Sequence, residues 1–406
     1  MKKRILSLIF LITPLMMTAQ ENIFGGNAIK SPVINEDGSV TFRLKASAGS
    51  KVQIEGDFLP TVKMETPFGL MDGQAPADMT EEDGAWTFTS EPLSPELYSY
   101  YFTVDGVRVL DPSNVRLLRD GNSFTNIFIV RGAESEKGDL YETADVLHGT
   151  VSKVWYDSPT LGIKRRLTVY TPAGYDESKD AYPVLYLLHG AGGDEDAWTT
   201  LGRAAQILDN LIAQGRVTPM IVIMPNDNPS DQAASDIMAG TDVHGVGSPN
   251  LGESVTRMIE SFPDITTFVE GRYRVLPGKE NRAIAGLSMG GGLSFDISRT
   301  YPDQFDYVGL FSPAIFLGGR NPENLQGDNN AETAKVIETL KNQFSQKPKL
   351  YWMAIGTSDF LYQADMNFLG MMRDNGFEPE YMETEGGHTW RNWRHYLTVF
   401  AEKLFK

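Results

Sequence analysis

The chain has 406 residues, no cysteine, a formal net charge of −17 at pH 7, and apolar and charged fractions of 41% and 22%. That length allows two domains, each with its own core. The missing cysteines exclude disulfides, thiolate metal sites, a cysteine nucleophile and a cysteine-borne lipid anchor. The acidity repels nucleic acid and anionic membranes and suits a neutral substrate.

Lys2, Lys3 and Arg4 precede an apolar run, Ile5 to Met17, and Met17-Thr18-Ala19 supplies a small-residue cleavage site. This predicts a signal peptide over 1–20 and an exported protein, periplasmic or secreted. The run is short for a bilayer span and no later run reaches that length, so no membrane anchor is expected.

From 22 to 131 the pattern is all-β. Alternating runs such as Ser39-Val40-Thr41-Phe42-Arg43-Leu44, Lys51-Val52-Gln53-Ile54 and Asn126-Ile127-Phe128-Ile129-Val130 are separated by turns at Asp37-Gly38 and Asp105-Gly106. Six or seven short strands predict a small sandwich. Trp86, in a strand pattern, is expected in its core. The segments Val52–Phe58, Gly84-Ala85-Trp86, Tyr98–Gly106 and Asp111-Pro112-Ser113-Asn114 resemble the immunoglobulin-like carbohydrate-binding modules of the family-48 type. That resemblance implies a unit that binds glycan or packs on a catalytic domain. Residues 132–145, rich in Glu, Gly, Ser and Lys, read as a linker.

From 146 to 406 strands alternate with helical stretches, which predicts an α/β domain with a mostly parallel, doubly wound sheet. Tyr182–Leu188, Met220–Met224, Tyr307–Ser312 and Lys349–Ile355 are apolar enough to be buried strands. A helix is expected over 265–273 and an amphipathic one from Trp390. The Gly/Asp/Ser-rich stretch Asn226 to Gly252 reads as a substrate-shaping loop or as a mobile insertion.

Ala285-Gly286-Leu287-Ser288-Met289-Gly290-Gly291 matches the G-x-S-x-G turn that lifts a serine hydroxyl above the sheet between a strand and a helix. A serine needs a base and the base an orienting acid, in the order serine, acid, histidine in this fold. His388, in the glycine-rich Glu385-Gly386-Gly387-His388, is the expected base; His395 falls inside the last helix. Asp359, in the turn Gly356-Thr357-Ser358-Asp359 after a strand, is the expected acid, with Asp365 as the alternative. The oxyanion donors are expected from Met289 N–H and from His189-Gly190-Ala191-Gly192-Gly193, where Ala191 is chosen and Gly192 is the alternative. His189 is expected to brace that loop. Asp194, Glu195 and Asp196 are read as acids favoured at a helix start, so no metal and no cofactor is expected. Trp198 and Trp390 are candidates for packing on an aromatic acyl group.

Residues 182–193, 282–291, 356–359 and 387–390 resemble the esterase D-like α/β-hydrolases of carbohydrate esterase family 1, which includes feruloyl and acetylxylan esterases. The resemblance covers 146 to the C-terminus and places the triad on Ser288, Asp359 and His388 and the oxyanion hole on Ala191 and Met289. With a family-48-type module ahead of it, the chain resembles feruloyl esterases acting on arabinoxylan, which implies a polysaccharide or oligosaccharide ester as its partner. Acetylxylan and siderophore-trilactone esterases remain alternatives, as does a glycan-binding protein with an inactive hydrolase domain.

Overall fold

Residues that alternate between two environments every second position form strands with two distinct faces, and in the N-terminal unit both faces find a core. A computed structural model describes residues 29–66, 69–121, 123–132, 137–234, 251–315 and 330–406. The predicted signal peptide lies outside them, as do positions 235–250 of the predicted loop. The first unit contains β1 (Val33–Ile34), β2 (Val40–Leu44), β3 (Val52–Gly56), β4 (Thr61–Thr66), β5 (Gly69–Gln74), β6 (Ala77–Asp78) and β7 (Thr80–Glu82). It continues with β8 (Ala85–Thr89), β9 (Glu96–Val104), β10 (Val107–Val109), β11 (Leu117–Asp120) and β12 (Ser123–Val130). One sheet runs β1-β2-β8-β7 and the other β11-β12-β9-β3-β6, with β10 on β9 and β4-β5 as a separate hairpin.

Tyr98, Tyr100 and Phe102 of β9 and Phe128 of β12 meet Phe42 and Ile54 inside this sandwich, with Trp86 packed at its margin. Their neighbours on the opposite face, Leu97, Ile127 and Ile129, belong to a different core, shared with the second unit.

The second unit opens with α1 (Lys137–Tyr141) and the strands β13 (Thr150–Ser158), β14 (Ile163–Thr171) and β15 (Val184–Leu188), then α2 (Ala197–Thr200), α3 (Ala204–Ala213) and β16 (Ile221–Pro225). After it come α4 (Leu251–Arg272), β17 (Arg282–Leu287), α5 (Met289–Thr300), β18 (Tyr307–Phe311) and α6 (Asn330–Ser345). The chain ends with β19 (Leu350–Gly356), α7 (Tyr362–Asp374), β20 (Glu380–Thr384) and α8 (Trp390–Ala401). Eight strands in the order β13-β14-β16-β15-β17-β18-β19-β20 make one sheet, antiparallel at β13 and β14 and parallel from β16 through β20. Helices cover both faces, so β15 and β16 are buried throughout, as their unbroken apolar runs require. This is the α/β-hydrolase architecture.

Two stretches differ from expectation. The predicted linker carries α1, whose Leu140 and Tyr141 are buried in the shared core. Asn210 of α3 donates to the carbonyls of Leu140 and Glu142, so the connection is fixed in place. Five helical residues are too few to show a period. The helix expected over 265–273 is instead the 22-residue α4, which runs through Pro263. Proline removes the N–H that would bond the carbonyl four residues earlier, and the Tyr301 hydroxyl donates to that carbonyl, Ile259 O, at 3.2 Å.

Arg394 of α8 ties the units together. Its guanidinium, 2% exposed, donates to Glu96 Oε1 and Leu97 O of β9 at 3.1 Å and to Leu201 O at 3.0 Å. Removing one partner of a buried pair leaves the other charge uncompensated. Arg394→Ala is therefore expected to lower stability by about 3–5 kcal/mol in urea unfolding.

Candidate active site

Ser288 stands between β17 and α5 at φ 52°, ψ −116°, a conformation that L-residues rarely adopt. The strain is held by its surroundings: its N–H donates to Phe311 O and its own carbonyl accepts from Ala314 N, both at 2.9 Å. The flanking glycines are obligatory for packing reasons. A Cβ on Gly286 would lie 2.4 Å from Gly290 O, and one on Gly290 would lie 2.3 Å from His189 O. The turn thus packs directly on the loop after β15.

Asp359 follows β19 in a turn closed by its own N–H on Gly356 O, and its Oδ1 accepts the Leu361 N–H at 2.9 Å. The next loop is bonded to it through Ser358 N–H and Gly386 O at 3.0 Å. This brings His388 over the sheet edge. His388 Nδ1 lies 3.0 and 2.9 Å from the two oxygens of Asp359, and its Nε2 lies 2.9 Å from Ser288 Oγ. With Nδ1–H donating to the carboxylate, Nε2 is free to accept the serine proton. The ring is seated by Phe360, 4.6 Å away between centroids, and by Trp393, edge-on at 4.9 Å.

Ala191 and Met289 flank the serine from two sides. Among the described residues, neither N–H has an acceptor within the protein. Ala191 lines the cleft above Ser288, whereas the Gly193 N–H is already bonded to Gly190 O. His189 braces this loop as expected: Nδ1–H donates to Gly190 O at 2.7 Å, and Nε2 accepts the Asp227 N–H at 2.8 Å. Asp365 is fully buried on α7 and makes no hydrogen bond to His388; burial and the neighbouring Asp359 charge hold its carboxyl well above the usual range. His395 is held down at about 4 by burial, so it stays neutral.

The three acids after the loop have a different explanation from the one expected. Asp196 caps the four-residue α2 without a side-chain cap bond. Its carboxylate instead meets Lys153 at 2.7 Å and Arg119 at 3.3 Å, and Asp194 takes Arg119, Glu195 Arg166. These cations come from distant strands, beyond the reach of local spacing.

The two tryptophans part company. Trp198 is 1% exposed, its Nε1–H donating to Leu188 O at 2.8 Å, so it is a core residue and does not line the cleft at Ser288. The ring turns inward because the shared core lies beneath α2. Trp390 lines the cleft, edge-on to Trp198. Sequence reasoning missed Phe360, 38% exposed beside His388; an aromatic directly after the triad acid in a turn was the available signal. A cleft of ≈ 1230 Å³ opens at Ser288, and its lining includes Phe360 and Trp390 of the hydrolase unit and Tyr98, Tyr101 and Asp120 of the sandwich. Of the predicted loop, Asn226 to Asn228 are buried behind the oxyanion loop.

The sheet is that of the α/β-hydrolases, and the hydrogen-bonded chain Asp359–His388–Ser288 has the geometry of their Ser–His–Asp triad. The chain belongs to the Esterase family, whose model matches residues 158–404, and this unit is a carboxylic ester hydrolase. It is 27% identical over 385 residues to an endo-1,4-beta-xylanase/feruloyl esterase of Xylanibacter ruminicola, covering 92% of this chain and 46% of that protein. An acetyl esterase of Caldicellulosiruptor saccharolyticus is 26% identical over 164 residues, 35% of this chain and 61% of its own length. The chain thus spans less than two thirds of either relative. A family 1 ferulic acid esterase of Anaeromyces mucronatus, solved with ferulic acid, superposes with a TM-score of 0.53 at 26% identity over 65% of this chain and 93% of that one. The enterobactin esterase of Shigella flexneri shares the fold of both units, with a TM-score of 0.62 at 13% identity over 90% of this chain and 92% of that one.

Behind the oxyanion loop, burial pushes the Asp227 carboxyl up to about 7, against the pull of His189 and Arg165. A folded-state value above the unfolded one means that this group's contribution to stability falls as pH rises from about 4 to about 7. Asp227→Asn should therefore gain on the wild type between pH ~5 and ~8 by roughly 2 kcal/mol in urea unfolding. A difference independent of pH would show that the carboxyl is ionised throughout.

Proposed function

We propose that the chain is an exported serine esterase that hydrolyses acyl esters on plant cell-wall polysaccharide, foremost feruloyl esters of arabinoxylan. The observation that carries this is the hydrogen-bonded chain Asp359–His388–Ser288 opening into a cleft walled by Phe360 and by the sandwich unit. Ser288 Oγ attacks the ester carbonyl while His388 Nε2 takes its proton. Asp359 holds the imidazole in the working tautomer and stabilises the imidazolium. The Ala191 and Met289 N–H groups receive the oxyanion. As the acyl C–O bond breaks, the imidazolium protonates the departing sugar oxygen, giving the free hydroxyl and an acyl-Ser288. Water, deprotonated by the same imidazole, then attacks the acyl carbon and releases the acid, the proton returning to Ser288 Oγ.

Phe360 and Trp390 both line the cleft and offer aromatic surface to a planar acyl group, which favours feruloyl over acetyl. The names of the Xylanibacter and Anaeromyces relatives agree with that acyl group. Export rests on the basic and apolar segments of residues 1–20; among the described residues no helix is long and apolar enough to cross a membrane.

The test is hydrolysis of methyl ferulate and of acetylated xylan by the wild type and by Ser288→Ala. Ferulate release is expected from the wild type and its loss from the variant, by roughly a million-fold in kcat. Acetate release alone would keep the mechanism and replace the acyl group. Phe360→Ala is expected to raise KM for methyl ferulate about three- to tenfold more than KM for an acetyl ester, while the loss in kcat from a loosened His388 ring falls on both substrates alike.

A further inference from the structure

The loop that carries the Ala191 N–H is Gly190-Ala191-Gly192-Gly193, and it has almost no side chains with which to hold itself. Its fixings therefore come from outside. His189 and Asn228, whose Nδ2 donates to Gly193 O at 3.2 Å, hold it from within the hydrolase unit. Lys153 and Arg166 of the same unit hold the acids that follow, Asp196 and Glu195, and a further fixing belongs to the sandwich. Arg119, near the end of β11, donates through Nη1 to Asp194 Oδ2 at 2.5 Å and through Nη2 to Asp194 Oδ1 at 2.9 Å, a two-pronged contact. Nη2 also reaches Asp196 Oδ2 at 3.3 Å. Arg119 and Asp194 are only 12% and 10% exposed, so solvent screens the pair little.

Both ends of this contact are anchored. Arg119 Nη1 also donates to Gly121 O at 3.0 Å, which fixes the guanidinium to its own hairpin turn. Asp194 Oδ1 also accepts the Asp196 N–H at 3.0 Å, which fixes the carboxylate to the start of α2. The turn itself presses on the loop: at Gly121, φ 54°, a Cβ would lie 3.0 Å from Gly192 O. A planar fork on a carboxylate sets orientation as well as distance.

We infer that the β11–β12 hairpin of the sandwich is part of the catalytic apparatus, with Arg119 a positioning residue that holds the oxyanion loop through Asp194. This rests on the esterase reading above and assigns the sandwich a role in the chemical step, separate from any hold on polysaccharide. Loosening the clamp lets the Ala191 N–H drift from the place where the oxyanion forms, and a displacement near 1 Å costs about a hundredfold in rate.

The experiment compares wild type, Arg119→Ala, Arg119→Lys and Arg116→Ala on methyl ferulate and p-nitrophenyl acetate, with inhibition by phenylboronic acid, whose serine adduct places an oxygen in the oxyanion hole. Arg116 pairs with Glu142 elsewhere between the units and is 40% exposed, so it controls for docking alone. For Arg119→Ala, kcat on both small esters is expected to fall roughly ten- to a hundredfold with KM changed less than about twofold. The boronic acid should weaken in parallel. Arg119→Lys should recover part of the loss, and Arg116→Ala should match the wild type. Should Arg119→Ala not fold, Asp194→Asn, which keeps shape and removes charge, is expected to show the same fall in kcat. An active wild type with unchanged kcat in a folded Arg119→Ala, or in Asp194→Asn if that is the variant obtained, overturns the clamp and leaves the esterase reading standing. A wild type that hydrolyses neither ester overturns both.

Discussion

The structure depends on two strands that each serve two cores. Because side chains alternate across a strand, β9 and β12 send Tyr98, Tyr100, Phe102 and Phe128 into the sandwich and Leu97, Ile127 and Ile129 into the hydrolase. A slip of one residue would exchange the two sets and fill neither core correctly. The register that makes the sandwich therefore also docks it, and the docking is what brings β11 and its turn to the serine. Arg394 and α1 add to an arrangement that the alternation already dictates.

The sheet strands, the strained serine turn and the histidine loop were legible because each depends on local chemistry. Gly286 and Gly290 sit where a Cβ would strike backbone, and Asp359 sits at the carboxyl end of a parallel strand, where such groups collect. Trp198 was misread because its neighbours in sequence resemble a site while its neighbours in space are core. The part played by Asp194 and Asp196 was invisible for a related reason. Helix-start acids look alike whether a dipole or a cation satisfies them, and the cations here are Arg119, Lys153 and Arg166, up to 77 residues away.

Fold and site also differ in how their polar groups are satisfied. Helix α4 tolerates Pro263 because a tyrosine hydroxyl takes the vacated carbonyl. The loop after β15 is a different case: among the described residues the Ala191 N–H, like the Met289 N–H at the start of α5, has no protein acceptor.

The shared core also bears on how the two units came to be joined. The Anaeromyces esterase corresponds to 65% of this chain, the share that the hydrolase unit occupies. If the sandwich were absent here, α1 with its Leu140 and Tyr141 would lose its packing on β9 and β12 and the Arg394 guanidinium would lose Glu96 and Leu97, leaving an apolar patch beside a cation short of two acceptors. Patches of that kind drive association in solution. A hydrolase that stands alone on this scaffold has to coat the same surface with polar side chains. Gain or loss of the sandwich in evolution is therefore not a matter of adding or trimming a bead on a string: it requires concerted replacement along α1 and α2 and around Arg394, and the residues found there distinguish chains built for a partner unit from chains built without one.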